Sequence, residues 1–255
     1  MREFDLDDEF KMIFNDFTGL YDYYKNGELL SKSADKLFKY YSLNINNIDA
    51  LLNNYFHLSN PATFNDPFDC NVNLASDVDN EKLINMKTVK RNDIQNIGIV
   101  SFSETINNHL MWAHYTNNYN GFAIEFKGTE VTVNLVEDRF EKFTLTKVFY
   151  PKEMKKIRSG YPFAMHYVLS TKMKHWEYEK EWRIICQLKK DDNRVLYYYP
   201  DKVKAIYIGH KLIDESESAY RLLLEICEIR FPKTPIYVVY PHPTDIKLFF
   251  ERVLN

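Results

Sequence analysis

The sequence predicts an α+β domain with a mixed, largely antiparallel sheet and flanking helices. Three observations carry that expectation. Short runs rich in Phe, Tyr, Ile and Val recur along the chain, as in LFKYYS, IGIVSFS, GFAIEF and IYVVY, and such runs suit strands. Stretches with helical spacing are interspersed among them, but the long regular βαβ alternation of a parallel sheet is missing. The apolar fraction is 45%, with 19 Tyr and 18 Phe in 255 residues, so a sizeable packed core needs no disulfide or metal staple.

The elements follow in chain order. Leu6, Phe10, Ile13, Phe14, Phe17, Leu20, Tyr21 and Tyr24 have helical spacing. They predict an amphipathic helix over residues 6–25, ended by Asn26-Gly27. Residues 1–30 are thus read as a helical extension and 31–255 as a single α+β domain. Leu37–Tyr41 reads as a strand, and Asn44 caps a short helix carrying Ile45, Ile48, Leu51 and Leu52. Tyr55–Ser59 is a strand. Two prolines keep NPATFNDPFD out of regular structure. A polar helix is expected over 79–92, a strand at Ile97–Ser103, a helix at Asn107–Tyr115 and a strand at Gly121–Phe126. Further strands are expected near 131–136 and 143–150. Pro151 opens a helical region reaching about His175, broken at Gly160-Tyr161-Pro162. Strands then follow at Trp182–Leu188, Val203–Ile208 and Ile236–Tyr240, with helices over 213–230 and 244–253.

Composition excludes several function classes. A net charge of −3 gives no support for nucleic-acid binding driven by overall charge. The basic clusters at 152–156 and 172–174 read as solvated helix faces. With 7 Gly and no GxGxxG or GxxxxGK[ST], neither a Rossmann fingerprint nor a P-loop is present. The 3 cysteines, Cys70, Cys186 and Cys227, are odd in number and widely spaced, which fits free thiols in a reducing compartment. The opening MREFDLDDEF has no apolar signal region, and no apolar run approaches ~18 residues. A cytoplasmic protein without a membrane span is expected. The histidines form no HExxH and the cysteines no CxxC, so no metal is expected.

Three constellations could carry chemistry. In FNDPFD, Asn65 and Asp66 precede Pro67 in a turn. Asp66 either accepts backbone N–H bonds or faces a ligand, while Phe64 and Phe68 pin the loop. In SFSE, Ser101 and Ser103 share one face of a strand. On the following helix Met111, His114 and Tyr115 share a side, with Trp112 pointing elsewhere. This aromatic density suits stacking of a planar ring, and His114 either packs or contacts a ligand. In HWEYEKEWRI, Glu177, Glu179, Glu181 and Arg183 alternate with Tyr178, Lys180 and Trp182, so an extended chain puts all four on one face. The alternative is an exposed edge strand with a modest Glu181–Arg183 ion pair. Glu181 is the better site candidate, because it opens the apolar run WRII that anchors its strand. Finally, Glu125 and Lys127 form an ExK pattern, which with Asp66 would suit a metal-dependent nuclease.

LFKYYS, LSNPATFNDPFD, SFSE, MWAHYTNNYNGFAIEF and WEYEKEWRII, in this order, resemble the bacterial domain-of-unknown-function family 2971 over about Leu37 to Tyr240. More distantly, the chain is similar to the ADP-ribosyltransferase fold. Lys39 and Tyr40 match that fold's first strand motif, His57, Leu58 and Ser59 the second, and Glu181 the glutamate that begins a later strand. Lys39 departs from the His or Arg usual there. The resemblance implies NAD or a related nucleotide as cofactor, held by Lys39, Tyr40 and Ser59, with Trp112 or Tyr115 stacking. It implies that Glu181 is the catalytic carboxylate, orienting the ribose and stabilising the oxocarbenium-like centre as nicotinamide leaves. Asp66, Ser103, His114 and Arg183 would support the pocket. It also implies a toxin or phage-defence effector with a protein or nucleic-acid target. Two alternatives stay open. One is a nuclease using Asp66, Glu125 and Lys127. The other is a non-catalytic binding or scaffold module that works, or forms oligomers, through its N-terminal helix.

Overall fold

The structure is a computed structural model that describes residues 2–6, 8–15, 20–30, 33–75, 94–128, 130–131, 143–158, 163–189 and 193–254. The chain divides into two compact units. One is built from residues 1–33, 58–100 and 140–194, the other from 34–57, 101–139 and 195–255. Both contain sheet, mostly antiparallel, and helix, so the α+β class is observed. No helix among the described residues is long and apolar enough to cross a membrane.

The strands are β1 (Arg2–Asp5), β2 (Phe10–Asn15), β3 (Leu20–Lys25), β4 (Glu28–Leu29), β5 (Leu37–Ser42), β6 (Tyr55–His57), β7 (Ile97–Ser103), β8 (Gly121–Phe126), β9 (Phe143–Lys147), β10 (Glu181–Gln187), β11 (Val195–Tyr197), β12 (Val203–Gly209), β13 (Ile236–Pro241) and β14 (Leu248–Leu254). The helices are α1 (Ile45–Leu52), α2 (His109–Tyr115), α3 (Ala164–Ser170), α4 (Lys211–Glu215) and α5 (Glu217–Arg230).

In the first unit β1 to β4 form an antiparallel sheet. The helix expected over residues 6–25 is therefore corrected to strands where this segment is described. Its aromatic spacing fits a pleat as well as a helical turn: Phe10 and Met12 are both buried, and i, i+2 neighbours share one face of a strand. Asn26-Gly27 closes a hairpin instead of ending a helix. Both residues have positive φ, 50° and 80°, and they join the paired Lys25 and Glu28 in the two-residue turn that Asn-Gly favours. Leu6, Phe10, Met12 and Tyr23 pack with Phe149, Tyr167 and Val168 in one buried cluster. The same unit holds β10 paired antiparallel with β9, and the first half of β7 beside β10.

Two further expectations in this unit are corrected. Of the helical region expected from Pro151 to His175, α3 is the α-helical part among the described residues. The segment PKEMKKI offers too few apolar positions for a helix to bury a face. Ile157 is instead buried and bridges Ala75, donating its N–H to the Leu74 carbonyl at 2.7 Å. The helix expected at 79–92 and, beyond Val131, the strand expected at 131–136 lie outside the described residues.

The second unit holds a sheet of order β14-β13-β12-β8-β5-β7, in which β12 and β13 run parallel. Its other pairs are antiparallel. The expected cap is in place at Asn44, whose Oδ1 accepts the Asn47 N–H at 2.9 Å; the structure adds a second at Asn108, whose Oδ1 accepts the Leu110 N–H at 2.9 Å. Phe56, Phe102, Phe126 and Tyr198 make a core of ring contacts 4.7–6.2 Å between centroids. Gly121 lets β8 approach β5, since a Cβ there would lie 2.2 Å from the Tyr41 carbonyl oxygen. The closing helix expected over 244–253 is corrected to β14, antiparallel to β13. Stacking of Phe249 on Tyr240 at 5.0 Å and an edge contact of Phe250 with Tyr207 at 5.7 Å favour the strand through cross-strand aromatic pairs.

Candidate functional site

In the first unit the segment after β6 is shaped by its own short side chains. Asn60 Oδ1 accepts the Ala62 N–H at 3.0 Å, starting a 3-10 turn over Pro61–Thr63. Asp66 Oδ1 accepts the Phe68 N–H at 2.8 Å, and Asn71 Oδ1 accepts the Asn73 N–H at 3.0 Å. These are the local turns that Asn and Asp favour. Phe64 packs on the core as expected of it, whereas Phe68 is 54% exposed and does not pin the loop. A cleft of about 390 Å³ opens along this segment, lined by Phe64, Asp66, Asp69 and Cys70 together with apolar and asparagine neighbours. Asp66 Oδ2 is buried and has no hydrogen-bond partner.

Behind the cleft lies a buried ionic cluster. The Arg183 guanidinium donates to both oxygens of Asp69 at 2.9 and 2.7 Å, and to both oxygens of Glu181 at 2.8 and 3.0 Å. It also donates to the Leu169 carbonyl at 2.7 Å. Lys172 Nζ stands 2.5 Å from Glu179, 3.4 Å from Glu181 and 3.7 Å from Asp69, and 4.8 Å from the centre of the Trp176 ring. The Glu181 N–H donates to the Tyr150 hydroxyl at 3.0 Å. Arg183, Glu181 and Lys172 are 0%, 4% and 5% exposed. Burial by itself disfavours the charge on Lys172, but Glu181, Glu179 and Asp69 outweigh it and hold its pKa above the ordinary lysine value. Arg183 is likewise held well above its ordinary value, Asp69 and Glu181 outweighing the cost of burial. Burial pushes the Cys70 thiol well up, against the opposing pull of Arg183.

The alternation expected along HWEYEKEWRI is half right. Glu181 and Arg183 share a face of β10, and their pairing is buried, not an exposed edge contact. Glu177 and Glu179 precede the strand in a 3-10 segment, Lys174–Glu179, and Lys180 follows with φ of 45°. That left-handed residue breaks the alternation, so Glu179 turns to Lys172 while Glu177 stays half exposed beside Lys174 and Lys25. The solvated face expected at 172–174 holds for Lys174 but not for buried Lys172.

The other sequence candidates have different settings. In the first unit Ser59 exchanges backbone hydrogen bonds of 2.9 Å with Ile99. In the second unit Tyr40 and Trp112 are buried in edge contact at 5.4 Å. Their polar ends donate to the carbonyls of Thr105 at 2.7 Å and Ile106 at 2.9 Å. Lys39 Nζ lies 5.2 Å from the Tyr41 ring centre, and buried Ser103 Oγ accepts the Thr105 N–H at 3.2 Å. His114 and Tyr115 are exposed on α2. Glu125 is buried, accepting from the Tyr207 hydroxyl at 2.6 Å and pairing with Lys36 at 2.9 Å. Lys127 pairs with Glu130 at 2.6 Å. Among the described residues no group of His, Cys, Asp or Glu side chains is arranged to hold a metal ion.

Residues 111–184 match the model of a family described as protein of unknown function, DUF2971. This interval is shorter than the span of the resembling motifs. It takes in Trp112 at one end and Lys172, Glu179, Glu181 and Arg183 at the other. No curated protein and no solved structure matches the chain.

Asp69 and Lys172 escaped the reading of the sequence as site residues. Asp69 lies within FNDPFD, where the Asp66-Pro67 turn is the stronger sequence signal. Lys172 carried no signal beyond its place in a basic cluster.

Proposed function

We propose that the first unit is a binding module for a small organic cation, taken up in the cleft along residues 61–73. The observation that carries this reading is Asp66, which lines a cleft with no Lys or Arg among its described lining residues and whose Oδ2 is buried without a hydrogen-bond partner. A buried carboxylate oxygen without a donor is costly, by about 1–3 kcal/mol or more. An ammonium or guanidinium head group supplies the donors and the opposite charge. Phe64, Pro61, Pro67, Val72 and Ile94 offer apolar walls to the body of such a ligand.

Glu181 is assigned a supporting role in this reading. A carboxylate that orients a ribose needs an oxygen open to its ligand, and both oxygens of Glu181 accept from Arg183, one of them also from Lys172. The acidic lining likewise disfavours the phosphates of a dinucleotide. Calorimetric titration with benzylammonium chloride and with sodium benzoate tests the proposal, because the two share a ring and differ in charge. Saturable heat with the cation and none with benzoate supports it. Binding of benzoate, or of neither ion, overturns it.

A further inference from the structure

We infer that Arg183, which has no surface in the cleft, is the positioning residue that fixes the cleft's shape through three of its lining side chains. The inference rests on reading the cleft as a binding site. The guanidinium holds Asp69 by two parallel bonds, donates to Cys70 Sγ at 3.3 Å, and lies 5.5 Å from the centre of the Phe64 ring. Asp69, Cys70 and Phe64 all line the cleft, and Arg183 does not. The Nε–Nη2 edge of the guanidinium is tied to Glu181 on its own strand, and Nη1, which also donates to Asp69, donates to the Leu169 carbonyl of α3. One planar group therefore bridges the rigid elements of this unit to the loop that forms the cleft wall. Arg suits this task because its fork of donors engages carboxylates by two bonds at once.

The backbone supplies an independent observation. Cys70 has φ of 50°, a left-handed conformation that is unfavourable for a non-glycine residue. Such conformations persist where the surroundings over-determine them. Arg183 contacts the Cys70 side chain itself and grips the residue before it. Without the guanidinium those constraints are gone, the loop relaxes, and the wall of the cleft opens.

Thiol labelling tests the inference without any ligand. Cys70, Cys186 and Cys227 are all free and buried, so the last two serve as internal standards. Wild type and Arg183→Gln are treated with N-ethylmaleimide well below the melting temperature, and modification of each cysteine is followed by peptide mass spectrometry. The expected result is Cys70 labelling at least ~10-fold faster in the variant, an opening free-energy change of about 1.4 kcal/mol, with Cys186 and Cys227 unchanged. Loss of the Arg183 charge by itself works the other way, because that charge favours the Cys70 thiolate, so a faster rate reports exposure. Arg183→Lys, which keeps the charge without the fork, is expected between the two. Should Arg183→Gln fail to fold, Asp69→Asn breaks the same fork with the arginine in place and is expected to give the same selective rise. Equal acceleration of all three cysteines, or an unchanged Cys70 rate, overturns the inference. Failure here leaves the cation-binding reading standing, and failure of the cation titration leaves the clamp standing.

Discussion

Replacing Lys172 by Met removes the cation that three buried carboxylates share. Lys172 Nζ lies 2.5, 3.4 and 3.7 Å from Glu179, Glu181 and Asp69. At an effective dielectric near ~20, each such pair attracts by about 4–7 kcal/mol. Most of that gross attraction is offset by the cost of taking the charges out of water, which is why removing one partner of a buried cluster costs about 3–5 kcal/mol net. At about 2–4 °C per kcal/mol for a protein of this size, Lys172→Met should melt roughly 6–20 °C below wild type. Lys174→Met is the control, since Lys174 is 40% exposed and meets Glu177 at 3.6 Å. An exposed pair of that kind is worth about 0–1 kcal/mol. The pH dependence has a definite sign. The folded pKa of Lys172 lies above its unfolded value near ~10.4. Its contribution is therefore complete below about pH 10 and lost as the pH rises through the folded value, so the gap between wild type and Lys172→Met narrows in alkali. Urea unfolding of the three proteins at pH 7 measures the difference. A Lys172→Met loss within about 1 kcal/mol of the Lys174→Met loss would refute the claim that the cluster is desolvated.

Other outcomes follow from the same structure. Burial lowers the His166 pKa to about 4, so the unfolded chain takes up a proton near pH 6.5 that the folded one refuses. Stability then falls as the pH drops from about 6.5 to 4, by roughly 3 kcal/mol, and unfolding of His166→Gln should show a shallower acid slope. In Gly121→Ala the new Cβ would stand 2.2 Å from the Tyr41 carbonyl oxygen, which costs about 1–3 kcal/mol and is read as a lowered urea midpoint. Glu181→Gln should lose about 3 kcal/mol of stability. Neither that variant nor wild type should release nicotinamide from NAD above the uncatalysed rate, and release by wild type that Glu181→Gln abolishes would restore a catalytic role to Glu181.

Much of the fold was legible because local chemistry decides it. The runs LFKYYS, GFAIEF and IYVVY became β5, β8 and β13, and the cap asparagine Asn44 starts its helix as read. The terminal segments were misread where two periods fit the same apolar residues. At β3 the deciding signal was the Asn26-Gly27 turn into β4, and at β14 it was the aromatic partners on β13 and β12, which a linear reading does not contain. The site divides in the same way. Glu181 and Arg183 are two residues apart, and strand alternation alone puts them on one face. Asp69 meets Arg183 across 114 positions of sequence, and Glu179 reaches Lys172 because Lys180 adopts a left-handed backbone. Such contacts are products of the tertiary fold.

The measurement that bears most directly on the cleft is the benzylammonium titration repeated on Asp66→Asn. The substitution keeps the turn oxygen that accepts the Phe68 N–H and removes the charge. The account predicts that affinity for benzylammonium falls at least ~10-fold, about 1.4 kcal/mol. Equal affinity in wild type and Asp66→Asn would contradict it.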